Sequence, residues 1–113
     1  MPMIALTTNQ AISGEQSVRL KDGLGQAIAL IPGKSEARLM ISLTGGAAMF
    51  FQGEPRQAAF LEVSCFGHPD AASYERLTGV VCELLEEVLG VPPENVYIKY
   101  SETDHWGWNG RNL

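Results

Sequence analysis

The chain has 113 residues, of which 45% are hydrophobic and 19% charged, a composition that builds one globular domain rather than a disordered segment. Its formal net charge of −5, with Arg38, Arg56, Arg76 and Arg111 scattered, argues against a nucleic-acid face. No apolar stretch approaches the roughly 18 residues of a membrane span, the first apolar run lacks a basic leader, and Cys65 and Cys82 make no disulfide framework, so a cytoplasmic protein is expected.

Pro2 stands directly behind Met1. Aminopeptidases remove an initiator methionine that precedes a small residue, which leaves Pro2 with a free secondary amine. Such an amine can take a proton from carbon or add to a carbonyl, although proline at this position is common and is a weak signal alone. Met3-Ile4-Ala5-Leu6 is an apolar run and predicts a buried strand, so the amine is held on a sheet. Ser13-Gly14-Glu15-Gln16 is a capping box that opens a helix with Leu20, Leu24, Ala27, Ile28 and Ile31 on one stripe. Pro32-Gly33 stops it. Arg38 to Thr44 alternates, with Leu39, Ile41 and Leu43 on one face. Gly45-Gly46 and Gly53-Glu54-Pro55 bracket Ala47 to Phe51, which predicts a loop with a short edge strand.

The next strand sends Leu61, Val63 and Cys65 one way and Phe60, Glu62, Ser64 and Phe66 the other. Asp70 caps a second helix with Leu77, Val81, Leu84, Leu85 and Val88 on its stripe, ended by Gly90 and Pro92-Pro93. Val96, Ile98 and Tyr100 form the inward face of the last long strand. His105 to Gly110 places Trp106 and Trp108 beside glycines in a non-periodic tail, for which an intersubunit contact is expected.

The two halves repeat without a gap at an offset of 57 residues. Ile4 matches Leu61, Ser13 matches Asp70, Leu20 matches Leu77, Gly33 matches Gly90 and Ile41 matches Ile98. The pseudo-repeats, about 2–44 and 59–101, each read strand, helix, strand. The predicted fold is therefore α/β (α+β): a duplicated βαβ forming a four-stranded mixed sheet with both helices on one face. The uncovered face also carries apolar groups, which predicts a homo-oligomer.

Pro2-Met3-Ile4, Thr8-Asn9, Gly33-Lys34, Glu54-Pro55, Val96-Tyr97-Ile98-Lys99-Tyr100 and Gly107-Trp108-Asn109 together resemble the macrophage migration inhibitory factor and D-dopachrome tautomerase family of the tautomerase superfamily. The resemblance spans essentially the whole chain. It implies a homotrimer whose three sheets form a central barrel. It also implies keto–enol tautomerisation of phenylpyruvate-like α-keto acids or dopachrome analogues. By position, Pro2 matches the catalytic proline and Lys34 the lysine that faces the substrate carboxylate or carbonyl. Phe66 takes the place of a residue whose backbone contacts substrate. Tyr97 matches a tyrosine reaching in from a neighbouring subunit, and Trp108 a wall of the pocket. Gln57-Ala58-Ala59-Phe60 stands where some members carry Cys-x-x-Cys, so thiol oxidoreductase activity has no support. Arg38 and Lys99 make the implied pocket more cationic and favour an anionic substrate.

A base that removes a proton beside a carbonyl works best with a pKa near working pH. Burial and nearby cations lower the pKa of an amine, and Lys34, Arg38 and Lys99 are the candidate cations. The same cations would stabilise an enolate. This scheme uses no metal and no organic cofactor, and His68 and His105 lack ligand spacing. Two alternatives stay open: a cytokine-like protein that leaves cells without a signal peptide and binds a protein receptor, and a hydratase or dehalogenase of small unsaturated acids.

Overall fold

The computed structural model describes residues 1–113. Strand β1 (Pro2–Thr8) is followed by helix α1 (Gly14–Ala27) and strand β2 (Met40–Thr44). The second half repeats the pattern with strand β3 (Ala59–Phe66), helix α2 (Ala71–Leu89) and strand β4 (Val96–Thr103). The sheet order is β2-β1-β3-β4. β1 runs parallel to β2, and β3 to β4, while the two halves meet in the antiparallel pair β1 and β3.

The repeat holds residue for residue in the register. Ile4 stands opposite Ile41, and Leu61, 57 positions later, opposite Ile98. Both helices open on side-chain caps. Ser13 Oγ accepts the Gln16 amide at 3.1 Å, and the Ser13 amide donates to Gln16 Oε1 at 2.9 Å. Asp70 accepts the Ser73 amide at 2.7 Å, and its carboxyl is held below its ordinary pKa chiefly by the Ser73 hydrogen bonds.

The core lies between the helices and one sheet face. Ile4, Leu6, Leu61, Val63 and Cys65 meet Leu20 and Leu24 of α1, Ile28 just after it, and Leu77, Val81 and Leu85 of α2. Each large apolar side chain buried this way contributes about 1.5–3 kcal/mol before conformational entropy is counted.

The halves differ where their prolines differ. α1 ends at Ala27, tightens into a 3₁₀ turn over Ile28–Leu30, and leaves Ile31 extended. The cause is Pro32, which disfavours the helical conformation at the residue before it. In the second half the prolines lie farther on, so α2 runs to Leu89 and ends on Gly90 with φ 72°. The segment 47–51 does not form the expected edge strand: a single bridge joins Phe51 to Glu54 around Gln52-Gly53, both at positive φ. The tail is more regular than its lack of periodicity predicts. Strands β5 (Gly107–Trp108) and β6 (Arg111–Asn112) pair as a hairpin around Asn109-Gly110, with φ of 54° and 82°.

The face of the sheet away from the helices has no cover. Met3, Met40, Phe60 and Tyr97 lie on it, together with Ser42, Glu62, Ser64 and Lys99. It is apolar at two ends and polar between them. Met40 and Tyr97 keep 65% and 63% of their surface exposed.

Gly33, at φ 83°, turns the chain so that Lys34 follows, and a Cβ there would meet no atom within 4 Å. Gly33→Ala therefore isolates backbone strain. The expected loss is about 1–2 kcal/mol, read as a lower urea midpoint with an unchanged denaturant slope.

Candidate active site

The register of β1 decides where the terminus lies. Pro2 pairs with Cys65 at the end of the β1–β3 ladder and is buried on the face that Ile4 and Leu6 share. Just beyond it, the Met1 carbonyl accepts the Phe66 amide at 3.0 Å. The Phe66 carbonyl in turn accepts the Lys34 ammonium at 2.6 Å. Lys34 leaves the turn after the first helix, so this bond ties the two halves together beside the chain terminus.

Two recesses open here. One of about 440 Å³ is mostly apolar and includes Pro2, Met3, Arg38, Met40, Trp106 and Trp108 in its wall. The Arg38 guanidinium lies 4.6 Å above the centre of the Trp108 ring. The other, of about 280 Å³, is lined by Pro32, Lys34, Phe66, His68, Pro69 and Asp70. The larger recess holds the terminus, and the Phe66 backbone links it to Lys34.

The electrostatics suit a base. The terminal amine is held below its ordinary pKa by burial first, then by the Lys34 charge and its hydrogen bond, and more weakly by Arg38, while Cys65 opposes the shift. In this structure the amine belongs to Met1, one residue outside the place that a Pro2 amine would take. Burial also raises the Cys65 thiol pKa.

Pro2, Lys34, Arg38, Phe66 and Trp108 thus gather at one end of the sheet. Tyr97 and Lys99 do not join them within one chain. Tyr97 pairs with Phe60, five residues along β3 from Cys65, or about 17 Å. It packs edge-on against Phe51 with ring centres 5.2 Å apart. Lys99 pairs with Glu62, level with Ala5, on the uncovered face. Within one chain it is not beside Pro2, because strand alternation points it to the other side of the sheet.

Two features are absent from the sequence reading. Trp106 joins Trp108 in the wall because the Asn109-Gly110 turn folds the tail, a two-residue signal that was available. His68 lies between Glu102 and Asp104, at 3.0 and 2.8 Å, and no local pattern announces it.

The Arg38 contact with Trp108 is exposed, so its contribution is about 0.5–1 kcal/mol. In a Trp106→Phe background, Arg38→Ala is expected to shift Trp108 emission to longer wavelength. An unchanged spectrum would mean that the stacking does not persist in solution.

Comparison with known proteins accounts for the arrangement. The family model described as macrophage migration inhibitory factor matches residues 1–113. The macrophage migration inhibitory factor of Meriones unguiculatus is 27% identical over 112 residues, covering 97% of this chain and 96% of that protein. Among solved structures, Leishmania major MIF2 superposes with a TM-score of 0.94 at 25% identity, covering 100% of this chain and 97% of that one. The macrophage migration inhibitory factor homologue of Prochlorococcus marinus gives a TM-score of 0.85 at 27% identity, covering 97% of each chain. By sequence and by fold, this chain belongs to the macrophage migration inhibitory factor family.

Proposed function

We propose that the protein is a keto–enol tautomerase of phenylpyruvate-like α-keto acids, with Pro2 as its general base once Met1 is removed. The observation that carries this reading is the position of Pro2: buried at the end of β1, against an apolar recess, where burial first and then Lys34 and Arg38 lower the pKa of the Met1 amine one residue outside it.

In the ketone-to-enol direction, the Pro2 nitrogen takes the proton from the carbon beside the carbonyl. The carbon–hydrogen electron pair forms the carbon–carbon double bond, and the carbonyl pair moves to oxygen. That oxygen then receives the proton back from the Pro2 ammonium, which completes the enol and restores the free base, and the reverse sequence ketonises it. The Lys34 ammonium stabilises the developing oxyanion. Loss of Met1 also removes the acceptor of the Phe66 amide, which becomes a donor for substrate oxygen. Arg38 suits the carboxylate, and the tryptophan wall suits an aryl ring. No cofactor enters this scheme.

The reading includes a homotrimer in which Tyr97 and Lys99 reach the recess of a neighbouring copy. Its support is the uncovered sheet face, with Met40 and Tyr97 both largely exposed.

The test is ketonisation of enol-phenylpyruvate by protein whose intact mass shows Met1 removed. Pro2→Gly is expected to lose roughly a hundredfold, the low end of a general base's contribution. Protein that retains Met1 should be inactive, because the Pro2 nitrogen is then an amide. Equal rates in wild type and Pro2→Gly would remove Pro2 from the mechanism. No rate in either, with protein binding intact, would favour a cytokine-like binding role.

The pH dependence has a defined sign. Lys34 lowers the pKa of the Met1 amine, and its charge acts in the same direction on a Pro2 amine one residue inward. In Lys34→Ala that pKa rises, so the acid limb of kcat/KM moves to higher pH and less free base remains at neutrality. An acid limb that stays in place would show that Lys34 does not set the base.

A further inference from the structure

We propose that His68 is a positioning residue. As an imidazolium it clips the C-terminal strap to the body of the protein and so holds the tryptophan wall of the amine recess.

The strap begins where β4 ends. Gly67, at φ 97°, turns the chain out of β3, and its amide donates to the Thr103 carbonyl at 3.0 Å. This places His68 against the end of β4. Its Nδ1 lies 3.0 Å from Glu102 Oε1 and its Nε2 lies 2.8 Å from Asp104 Oδ1. A carboxylate can only accept. A neutral imidazole has one N–H and therefore satisfies one of the two, whereas the imidazolium satisfies both. The geometry selects the charged ring.

Each carboxylate has a different task. Glu102 is anchored, because its second oxygen accepts the Tyr74 hydroxyl at 2.7 Å and Tyr74 stacks on Tyr100 at 4.2 Å. Asp104 belongs to the strap. After it come His105, whose amide donates to Thr103 Oγ1 at 3.0 Å, and then Trp106 and Trp108. Apart from the two short bonds between His105 and the neighbouring Thr103, the His68–Asp104 bond is the polar tie between residues 104–113 and the body, and Arg38 over Trp108 is a further fastening. Releasing His68 therefore frees the base of the strap.

The charged and titratable groups facing His68 are Glu102 and Asp104, with Tyr74 behind Glu102. Lys34 and Asp70 share its recess. Hydrogen bonds to Glu102 first and Asp104 second raise the His68 pKa above its ordinary value. The Tyr74 hydroxyl first and His68 second lower that of Glu102. A raised histidine pKa means that the clip is fully present below the unfolded value near 6.5 and is lost as pH rises through the folded value. On the acid side it is lost as pH falls through the depressed Glu102 pKa.

The experiment uses the full chain and two readouts that need no activity. The His68 ring is titrated by NMR, and Trp106 and Trp108 emission is followed over the same pH range. We expect one emission transition whose midpoint coincides with the His68 titration and lies above 6.5. Asp104→Asn should lower that midpoint, His68→Gln should abolish the transition with circular dichroism unchanged, and His105→Gln should leave it in place. A transition that survives His68→Gln, or a His68 midpoint at or below 6.5, overturns the clip.

The kinetic consequence rests on the tautomerase reading. On the alkaline side the KM for enol-phenylpyruvate should rise roughly two- to fivefold, the scale of one exposed ion pair, with kcat little changed, and His68→Gln should show the raised KM at every pH. If no form has activity, the tautomerase reading fails and the spectroscopic arms still decide the clip. If activity is present and the emission transition is not, the clip alone fails.

Discussion

The pairing of Pro2 with Cys65 is the constraint on which the site depends. A proline at the first rung of a strand gives up no ladder hydrogen bond, so position 2 tolerates it. Because β1 lies between β2 and β3, its start is held from both sides rather than fraying. The terminus is thereby delivered to the end of the sheet where the first helix hands over to Lys34 and where β3 ends at Phe66. Bonds from the Phe66 amide to Met1 and from Lys34 to the Phe66 carbonyl then close the corner. A shift of one residue in this register would turn Pro2 toward the uncovered face and dismantle the arrangement.

The cations illustrate how one fold distributes charge. Lys34 and Arg38 lie on the connection between the first helix and β2, so they arrive at the terminus together. Lys99 comes from the second half of the chain, on the side of β4 opposite Tyr100, and lies beside Glu62. The positive character of the recess within one chain therefore comes from the first half alone. The second half supplies the Phe66 backbone, the tryptophan wall and the carboxylates that hold His68.

Much of this was legible in the residues. The offset of 57 implies that whatever register joins β1 to β2 recurs between β3 and β4, and Ser13 and Asp70 announce both helix starts because capping is local chemistry. Alternation in Val96, Ile98 and Tyr100 already places Tyr97 and Lys99 on the other face, away from Pro2 of the same chain. The hairpin of the tail was signalled only by Asn109-Gly110, without the alternating strands that normally flag such turns. The cluster around His68 was not legible. Its partners are 34 and 36 residues away, and they meet because β3 and β4 end at the same level.

The account rests on the claim that the fold makes the terminal nitrogen a free base near neutral pH. The most direct measurement is a nitrogen NMR titration of Pro2 in protein that lacks Met1. The account predicts a midpoint below the ordinary α-amine range of about 7.7–8.0, moving upward in Lys34→Ala. A midpoint within or above that range, indifferent to Lys34, would contradict it.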